Sequence, residues 1–363
     1  MLQDPFIGYQ LANFRIDRLL GRGGMASVYL GWDLHLQRPV AIKVIAEQYR
    51  ENPAYVERFL REARAIAAWQ HRNIAQVHSA GREDNLPYFV MEYLHGKDLG
   101  QVLRDYAAQG LLLPYQEVVR IGRAVANALD YAHERGVIHR DVKPSNVMIG
   151  DDGRVVLTDF GLAMNVAEGT MGEVFGSPQH IAPEQARSSA SAVPQSDLYA
   201  LGVMLYEMLV GRLPFLDPFP AALAMQHINA EPPQPTALNP MLPARMDAVL
   251  LKALRKNPAE RFQSGRELMD AVEAVLGAQA ETAFAATAPS RTRGVAETAA
   301  RPTEAFPPGN GVAGQPPAVP PPPAGTGSRR SLGWAGGCLV LALLAFGVVY
   351  AVYAFGGDLI SPP

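Results

Sequence analysis

His139-Arg140-Asp141-Val142-Lys143-Pro144-Ser145-Asn146, followed by Asp159-Phe160-Gly161, is the stretch on which the fold turns. It sets two acids, an amide and a lysine among turn-forming residues. Asp, Asn, Pro and Ser each favour turns for local reasons, so the bland reading is a surface loop. The spacing argues otherwise. Phosphoryl transfer asks little covalent chemistry of a protein; it asks for positioning and for charge neutralisation around the γ-phosphate. Two acids, an amide and a lysine at these intervals offer a proton acceptor, oxygen ligands for cations and a positive charge. A glycine-rich loop and a second lysine lie upstream in the matching order.

The glycine-rich loop is Gly21-Arg22-Gly23-Gly24-Met25-Ala26-Ser27-Val28. Glycines let backbone N–H groups approach phosphate oxygens with no Cβ in the way. Alone, such a loop is often only a hairpin turn. The residues on its C-terminal side separate the alternatives. A Walker loop ends in Gly-Lys-Ser/Thr, which is absent here. A dinucleotide fingerprint opens a helix. Ser27-Val28-Tyr29-Leu30-Gly31-Trp32 is instead rich in β-formers and reads as a strand, so the loop caps a hairpin. Val40-Ala41-Ile42-Lys43 reads as the next strand, and a lysine in so apolar a run is costly unless paired. Tyr55, Phe59, Ala63, Ile66 and Ala67 then recur at helical spacing. Glu62 lies within that helix, while Glu57 faces elsewhere by phase.

Together these segments resemble the protein kinases. The wording Gly23-Gly24-Met25 and the ending Pro183-Glu184-Gln185-Ala186 most resemble the bacterial eukaryotic-type transmembrane Ser/Thr kinases. The resemblance covers residues 10–276. It implies an α+β bilobal fold, with a small β-rich N-lobe over about 10–94 and a large, mainly helical C-lobe over about 95–276. It implies ATP and Mg2+ as cofactors, with Mn2+ as an alternative. Asp141 then orients the acceptor hydroxyl and takes its proton, and Asn146 and Asp159 hold metal. Lys143 reaches the γ-phosphate and marks Ser/Thr rather than Tyr acceptors. Lys43 holds the α- and β-phosphates and pairs with Glu62. The ATP site comprises Leu20, Gly21, Gly23, Gly24, Val28, Ala41, Lys43, Met91, Glu92, Leu94, Asp98 and Met148. Within it Val28, Ala41 and Met148 sandwich the adenine, the Glu92 carbonyl and Leu94 amide meet its edge, Met91 lies behind it, and Asp98 meets the ribose.

The same resemblance places an activation loop from Leu162 to Phe175 and a substrate-docking loop from Gly176 to Glu184. Thr170 is the only threonine of the activation loop and the expected phosphorylation site. Arg140 is the expected partner for its phosphate, since phosphate gains most from a bidentate guanidinium. Three departures stand out: Ala26 replaces the third glycine of the loop, Ser177 replaces a threonine that bonds the catalytic pair, and His180 replaces a common tyrosine. Asp197 matches the acid that supports the catalytic segment, and Arg261 matches the arginine that pairs with Glu184. The rival from another class is a kinase-shaped scaffold without catalysis. Such proteins usually lose the lysine or one of the two acids, whereas Lys43, Asp141, Asn146 and Asp159 are all present.

Composition bounds the remainder. The chain has 363 residues and a net charge of −3, with no nucleic-acid signature. Its single cysteine, Cys338, excludes an internal disulfide framework and a cysteine zinc site. The eight histidines show no metal-ligand spacing, and no signal-peptide pattern opens the sequence. Residues 277–333 are rich in Ala, Pro, Gly and Thr, with prolines from Pro320 to Pro323, and read as a disordered linker. Residues 334–355 read as one transmembrane helix: 335–355 carry no charge and span about 30 Å as a helix. Arg329 and Arg330 precede it and Asp358 follows, which puts the kinase domain in the cytoplasm and the C-terminus outside the cell membrane. The tail 356–363 is too short for a sensor, so the span reads as an anchor. Gly333 and Gly337 give a small-residue spacing of a kind that chance often produces. The expected partners are Ser/Thr protein substrates, a second copy of the chain for trans-autophosphorylation, and phosphothreonine-binding proteins. A membrane adaptor working through its Pro-rich tail is compatible with kinase activity.

Overall fold

Period-two alternation organises the amino-terminal part of the chain. The structure is a computed structural model; it describes residues 4–160 and 178–287, excluding the side chains of Glu62 and of 278–287. Strands β1 (Gln10–Leu11), β2 (Phe14–Arg22), β3 (Ala26–Asp33) and β4 (Arg38–Ile45) lead into helix α1 (Pro53–Ala67), then β5 (Val77–Glu83) and β6 (Leu86–Glu92). The strands form one antiparallel sheet in the order β1-β2-β3-β4-β6-β5. In β4, Val40, Ile42 and Val44 join an outer cluster with Leu11, Ile16 and Val90, while Ala41 and Ile45 join the larger core. Alternation puts Lys43 on the Ala41 face. Register carries that face across the sheet: Val28 lies opposite Lys43, Lys43 opposite Phe89, and Ala41 opposite Met91.

Helix α1 opens where Asn52 accepts the Tyr55 N–H at 3.1 Å and Pro53 presets the first turn. It buries Val56, Phe59, Ala63 and Ile66. Ala67, expected on that face, is exposed at the helix end, and Val56 takes its place in the core. Glu57 pairs with Arg61 on the solvent side.

The helical lobe begins with β7 (Gly96–Asp98), α2 (Leu99–Ala108) and α3 (Tyr115–His133). Strand β7 joins β8 (Val147–Gly150) and β9 (Val155–Leu157) in a small sheet ordered β7-β8-β9. Helices α4 (Pro183–Arg187), α5 (Pro194–Val210), α6 (Pro220–Asn229), α7 (Pro235–Leu238), α8 (Arg245–Ala253) and α9 (Gly265–Thr287) come next. Helix α5 is buried over nearly its whole length, as an all-round apolar helix must be. Gly202 permits α8 to lie close, since a Cβ there would sit 2.8 Å from that of Ala253. Helix α9 is capped from a distant part of the chain: Asp130 accepts the N–H groups of Gly265 and Arg266 at 2.6 and 2.9 Å.

A β-rich lobe and a helical lobe thus stand where expected, with one correction at the boundary. The unstructured linker is expected from 277, yet α9 runs to Thr287. The stretch Ala278-Gln279-Ala280-Glu281 has strong helix formers, which outweigh its lack of large apolar groups. Among the described residues no helix is long and apolar enough to cross a membrane. The 334–355 span, its flanking arginines and the 356–363 tail lie outside the described residues.

Candidate active site

The segment between α3 and β8 carries the chemistry, and buried side chains set its shape. Arg140 adopts φ +68°, a left-handed conformation that costs a non-glycine residue about 1–3 kcal/mol. Asp197, buried near the start of α5, holds it there. Its carboxylate accepts the N–H groups of His139 at 2.8 Å and Arg140 at 2.6 Å, and lies 2.7 Å from His133 Nε2. Gln185 Nε2 donates to the Arg140 carbonyl at 3.0 Å. His139 is fully buried. Its Nδ1 accepts the Asp141 N–H, so the network assigns the ring proton to Nε2, which donates to the Thr158 carbonyl at 2.8 Å. One imidazole therefore ties Asp141 to the strand that delivers Asp159.

Asp141 is gripped at one oxygen. Asn146 Nδ2 donates to Asp141 Oδ2 at 3.1 Å and to its carbonyl at 2.8 Å, and Lys143 Nζ lies 2.7 Å from the same Oδ2. That leaves Oδ1 to accept a hydroxyl. Asp159, at φ +62°, sets Oδ1 2.7 Å from Lys43 Nζ. Burial raises the Asp159 pKa, but the Lys43 ammonium outweighs it and holds the carboxyl below its ordinary value. Asp159 is therefore ionised at neutral pH. The expected pairing of Lys43 with Glu62 involves a side chain that lies outside the described residues. Phe160 is buried edge-on to Trp69 at 5.7 Å between centroids and tilted on His139 at 4.6 Å, which fixes Asp159 beside it.

The nucleotide residues assemble from both lobes. Val28, Ala41, Lys43 and Met91 share the inner face of the large sheet by register. Met148 pairs with Asp98 in the small sheet. Asp98 Oδ1 accepts the Gln101 N–H at 2.8 Å and caps α2, so one oxygen of the expected ribose acid is already committed. Leu20 and Gly21 lie within β2, with Gly21 opposite Val28; the turn itself closes where Gly23 N–H donates to the Ala26 carbonyl at 2.9 Å. Glu92 ends β6 and precedes Leu94. Its carboxylate accepts the Gln76 N–H at 3.0 Å and pairs with Arg154 from the β8–β9 turn, which straps the inter-lobe connection to the helical lobe. Thr170 and Ser177 lie outside the described residues, and with them the expected contact between Arg140 and a phosphate on Thr170.

The donor set suits ATP with Mg2+. The Asn146 amide N–H is committed to Asp141 and Asp159 Oδ1 to Lys43, which leaves the Asn146 amide oxygen and Asp159 Oδ2 as hard oxygen donors. Mg2+ is commonly held by one or two such protein ligands plus substrate phosphates. Below the site, Arg261 is fully buried and pairs with Glu184 through both nitrogens at 2.7 and 2.8 Å, while donating to the carbonyls of Arg255, Gln195 and Lys256. Burial raises the Glu184 pKa, and Arg261 outweighs it, leaving the carboxyl below its ordinary value. Sequence reasoning assigns no role to His133, His139, Arg154 or Gln185. Apart from the Asp141 N–H that His139 accepts and the Asp152 carboxylate beside Arg154, their partners lie far along the chain, so no local spacing marks them.

A β-rich lobe joined to a helical one, with Lys43 of the first paired to Asp159 of the second and Asp141 held beside Asn146 and Lys143, defines the protein kinase class. The chain belongs to the protein kinase domain family, which matches residues 14–272, and within it to the bacterial eukaryotic-type Ser/Thr kinases. It is 40% identical over 279 residues to serine/threonine-protein kinase PksC of Streptomyces coelicolor, covering 74% of this chain and 50% of that protein. It is 37% identical to PrkC of Bacillus subtilis over 258 residues, 70% of this chain and 39% of that one. For PknB of Mycobacterium tuberculosis the identity is 39% over 264 residues, 70% of this chain and 41% of that one. The chain thus spans half or less of the length of these relatives. The crystal structure of the Mycobacterium tuberculosis PknI kinase domain superposes with a TM-score of 0.60 at 34% identity, covering 74% of this chain and 98% of that one.

Proposed function

We propose that this chain is a membrane-anchored Ser/Thr protein kinase that moves the γ-phosphoryl group of ATP to Ser and Thr hydroxyls of proteins, its own activation loop included, in signal transduction. The observation that carries the reading is Asp141 held at one oxygen by Asn146 and Lys143. A carboxylate fixed in that way keeps its other oxygen for a substrate hydroxyl. Asp141 takes the hydroxyl proton as the oxygen attacks phosphorus, and the bond to the bridging oxygen of ATP breaks to leave ADP. Asn146 and Asp159 would hold Mg2+, which would supply charge neutralisation at the phosphate oxygens. Lys43 positions the nucleotide, and Lys143 supplies positive charge beside the transferring group.

Anchoring rests on the uncharged run 335–355 and on Arg329 and Arg330 before it. Autophosphorylation rests on Thr170 being the one threonine between Leu162 and Phe175. A second copy catalyses that transfer from its own bound ATP, and proteins that bind phosphothreonine read the result. Incubating the full chain with γ-labelled ATP, Mg2+ and a generic protein substrate tests the activity. Label should appear on Ser and Thr, and Lys43→Met should give none. Nucleotide binding without transfer would favour the inactive scaffold instead.

A further inference from the structure

Ahead of β1, residues 4–9 form a strap on the outer face of the large sheet, where Phe6 and Tyr9 pack against the outer cluster. Gly8 N–H donates to the Ile16 carbonyl at 2.8 Å, and Ile16 N–H donates to the Tyr9 carbonyl at 2.9 Å. The Phe6 ring meets Tyr29 edge-on at 6.0 Å between centroids and lies under the Arg50 guanidinium at 5.0 Å. The strap sets Asp4 beside the glycine-rich loop. Asp4 Oδ2 accepts from Arg22 Nη2 at 2.6 Å, Oδ1 accepts the Phe6 N–H at 3.1 Å, and the Tyr29 hydroxyl donates at 3.3 Å. The Asp4 side chain is 8% exposed and that of Arg22 64%, so the acid is the fixed member of the pair. Burial raises the Asp4 pKa, but the Phe6 N–H and Arg22 outweigh it and hold the carboxyl below its ordinary value.

Arg22 stands among Gly21, Gly23 and Gly24, whose backbones have the most freedom to lose when a loop settles on a ligand. The C-terminal limb of the loop is tied down already, because Ala46 N–H donates to the Met25 carbonyl at 2.9 Å. Arg22 tethers the other limb. Register decides which way it faces. Gly21 lies opposite Val28 on the inner face, so alternation turns Arg22 outward, toward Asp4 and away from the nucleotide side. Its charge therefore meets a carboxylate rather than a phosphate. Asp4 also lies outside residues 14–272, the part of the chain that the protein kinase family shares.

We infer that Asp4 is a positioning residue for the nucleotide site: through Arg22 it holds the glycine-rich turn in the shape that receives the ATP phosphates. This rests on the kinase reading above. A loop ordered in advance loses less freedom on binding, so the pair strengthens nucleotide binding without touching the nucleotide. The effect belongs to ATP and not to the protein substrate, because Asp4 and Tyr29 lie on the sheet face turned away from Asp141.

The test uses the full chain and two readouts: the Kd for ATP with Mg2+ by titration, and hydrogen exchange of the backbone amides of residues 21–26 without nucleotide. Asp4→Asn keeps an oxygen for the Phe6 N–H and removes the charge, so the strap stays folded. Arg22→Gln removes the opposite charge, and Arg22→Lys keeps it. Asp4→Asn and Arg22→Gln should each weaken ATP binding by about two- to fivefold, the range of an exposed ion pair, and speed exchange in the loop. The double variant should be no worse than either single one, the mark of one shared interaction. Arg22→Lys should keep most of the affinity, and the KM for a peptide substrate should not move. An unchanged Kd in Asp4→Asn overturns the inference, as do effects that multiply in the double variant. Tighter ATP binding in Asp4→Asn overturns it too, since Asp4 would then be keeping Arg22 from the phosphates. If these Kd ratios hold while no variant nor the wild type transfers phosphate, the positioning role stands and the kinase reading falls.

Discussion

Asp141 shows how much a single carboxylate depends on what holds it. Asn146 and Lys143 occupy Oδ2, and His139 fixes the backbone through the Asp141 N–H. Asp141→Asn keeps the shape and removes the proton acceptor. It should lower kcat by about 10²–10⁴-fold, the usual contribution of a positioned base. ATP binding should hold within a few-fold, because it rests on the sheet face, Lys43 and the metal pair. Steady-state kinetics beside a nucleotide titration checks this, and a variant keeping more than about a tenth of wild-type kcat would remove the role. Asp141, Asn146 and Asp159 were legible because the chemistry packs them into one short stretch. The contact of Lys43 with Asp159 was not, because it depends on how the two lobes pack, a property no spacing encodes. The conformation of Arg140 was hidden for the same reason, since the Asp197 that imposes it arrives from a helix much further along the chain.

Helices that could be read from the sequence were those with a strong pattern: α1 by its period, α5 by its unbroken apolar run. What joins elements to one another was less visible. Arg261 was expected against Glu184, but its three carbonyl contacts make it the post on which the loop before α9 turns. Arg261→Ala strands a buried carboxylate and should cost about 3–5 kcal/mol, read as a lower midpoint in urea unfolding. An unchanged midpoint would show that water reaches Glu184. The contact of His227 with Tyr199 gives α5 and α6 an acid sensitivity. His227 is fully buried, its Nδ1 lies 2.9 Å from the Tyr199 hydroxyl, and its carbonyl accepts from Lys256. Burial first, then the charges of Lys256 and His180, push its pKa down to about 3. The folded state thus binds that proton more weakly than the unfolded chain does. The contribution is fully present above about pH 6.5 and declines as pH falls toward 3, by about 1.4 kcal/mol per unit. Unfolding at pH 7 and pH 5 should show that slope, and His227→Phe should flatten it. An equal slope in both proteins would mean that other groups carry the acid sensitivity.

At the scale of the molecule, the kinase part and the tail obey different physics. Every residue placed in the site lies at or before Arg261, on a framework buried by two hydrophobic clusters. The tail is read through composition alone: the Pro- and Ala-rich stretch and the uncharged run of bilayer length are the grounds of the proposed anchor. That division predicts separable functions. Removing residues 332–363 should release the protein from the membrane fraction while leaving kcat on a generic substrate within about twofold, because no site residue is lost. Autophosphorylation should slow at equal cellular amount, since copies held on a bilayer meet at higher effective concentration than copies in solution. Rejoining the truncated chain to an unrelated single-span anchor should restore the rate. A truncated chain that still sediments with membranes would place the anchor elsewhere. A protease that removes the kinase domain from intact cells would reverse the orientation that Arg329 and Arg330 favour, and would also separate the site from the ATP that it needs.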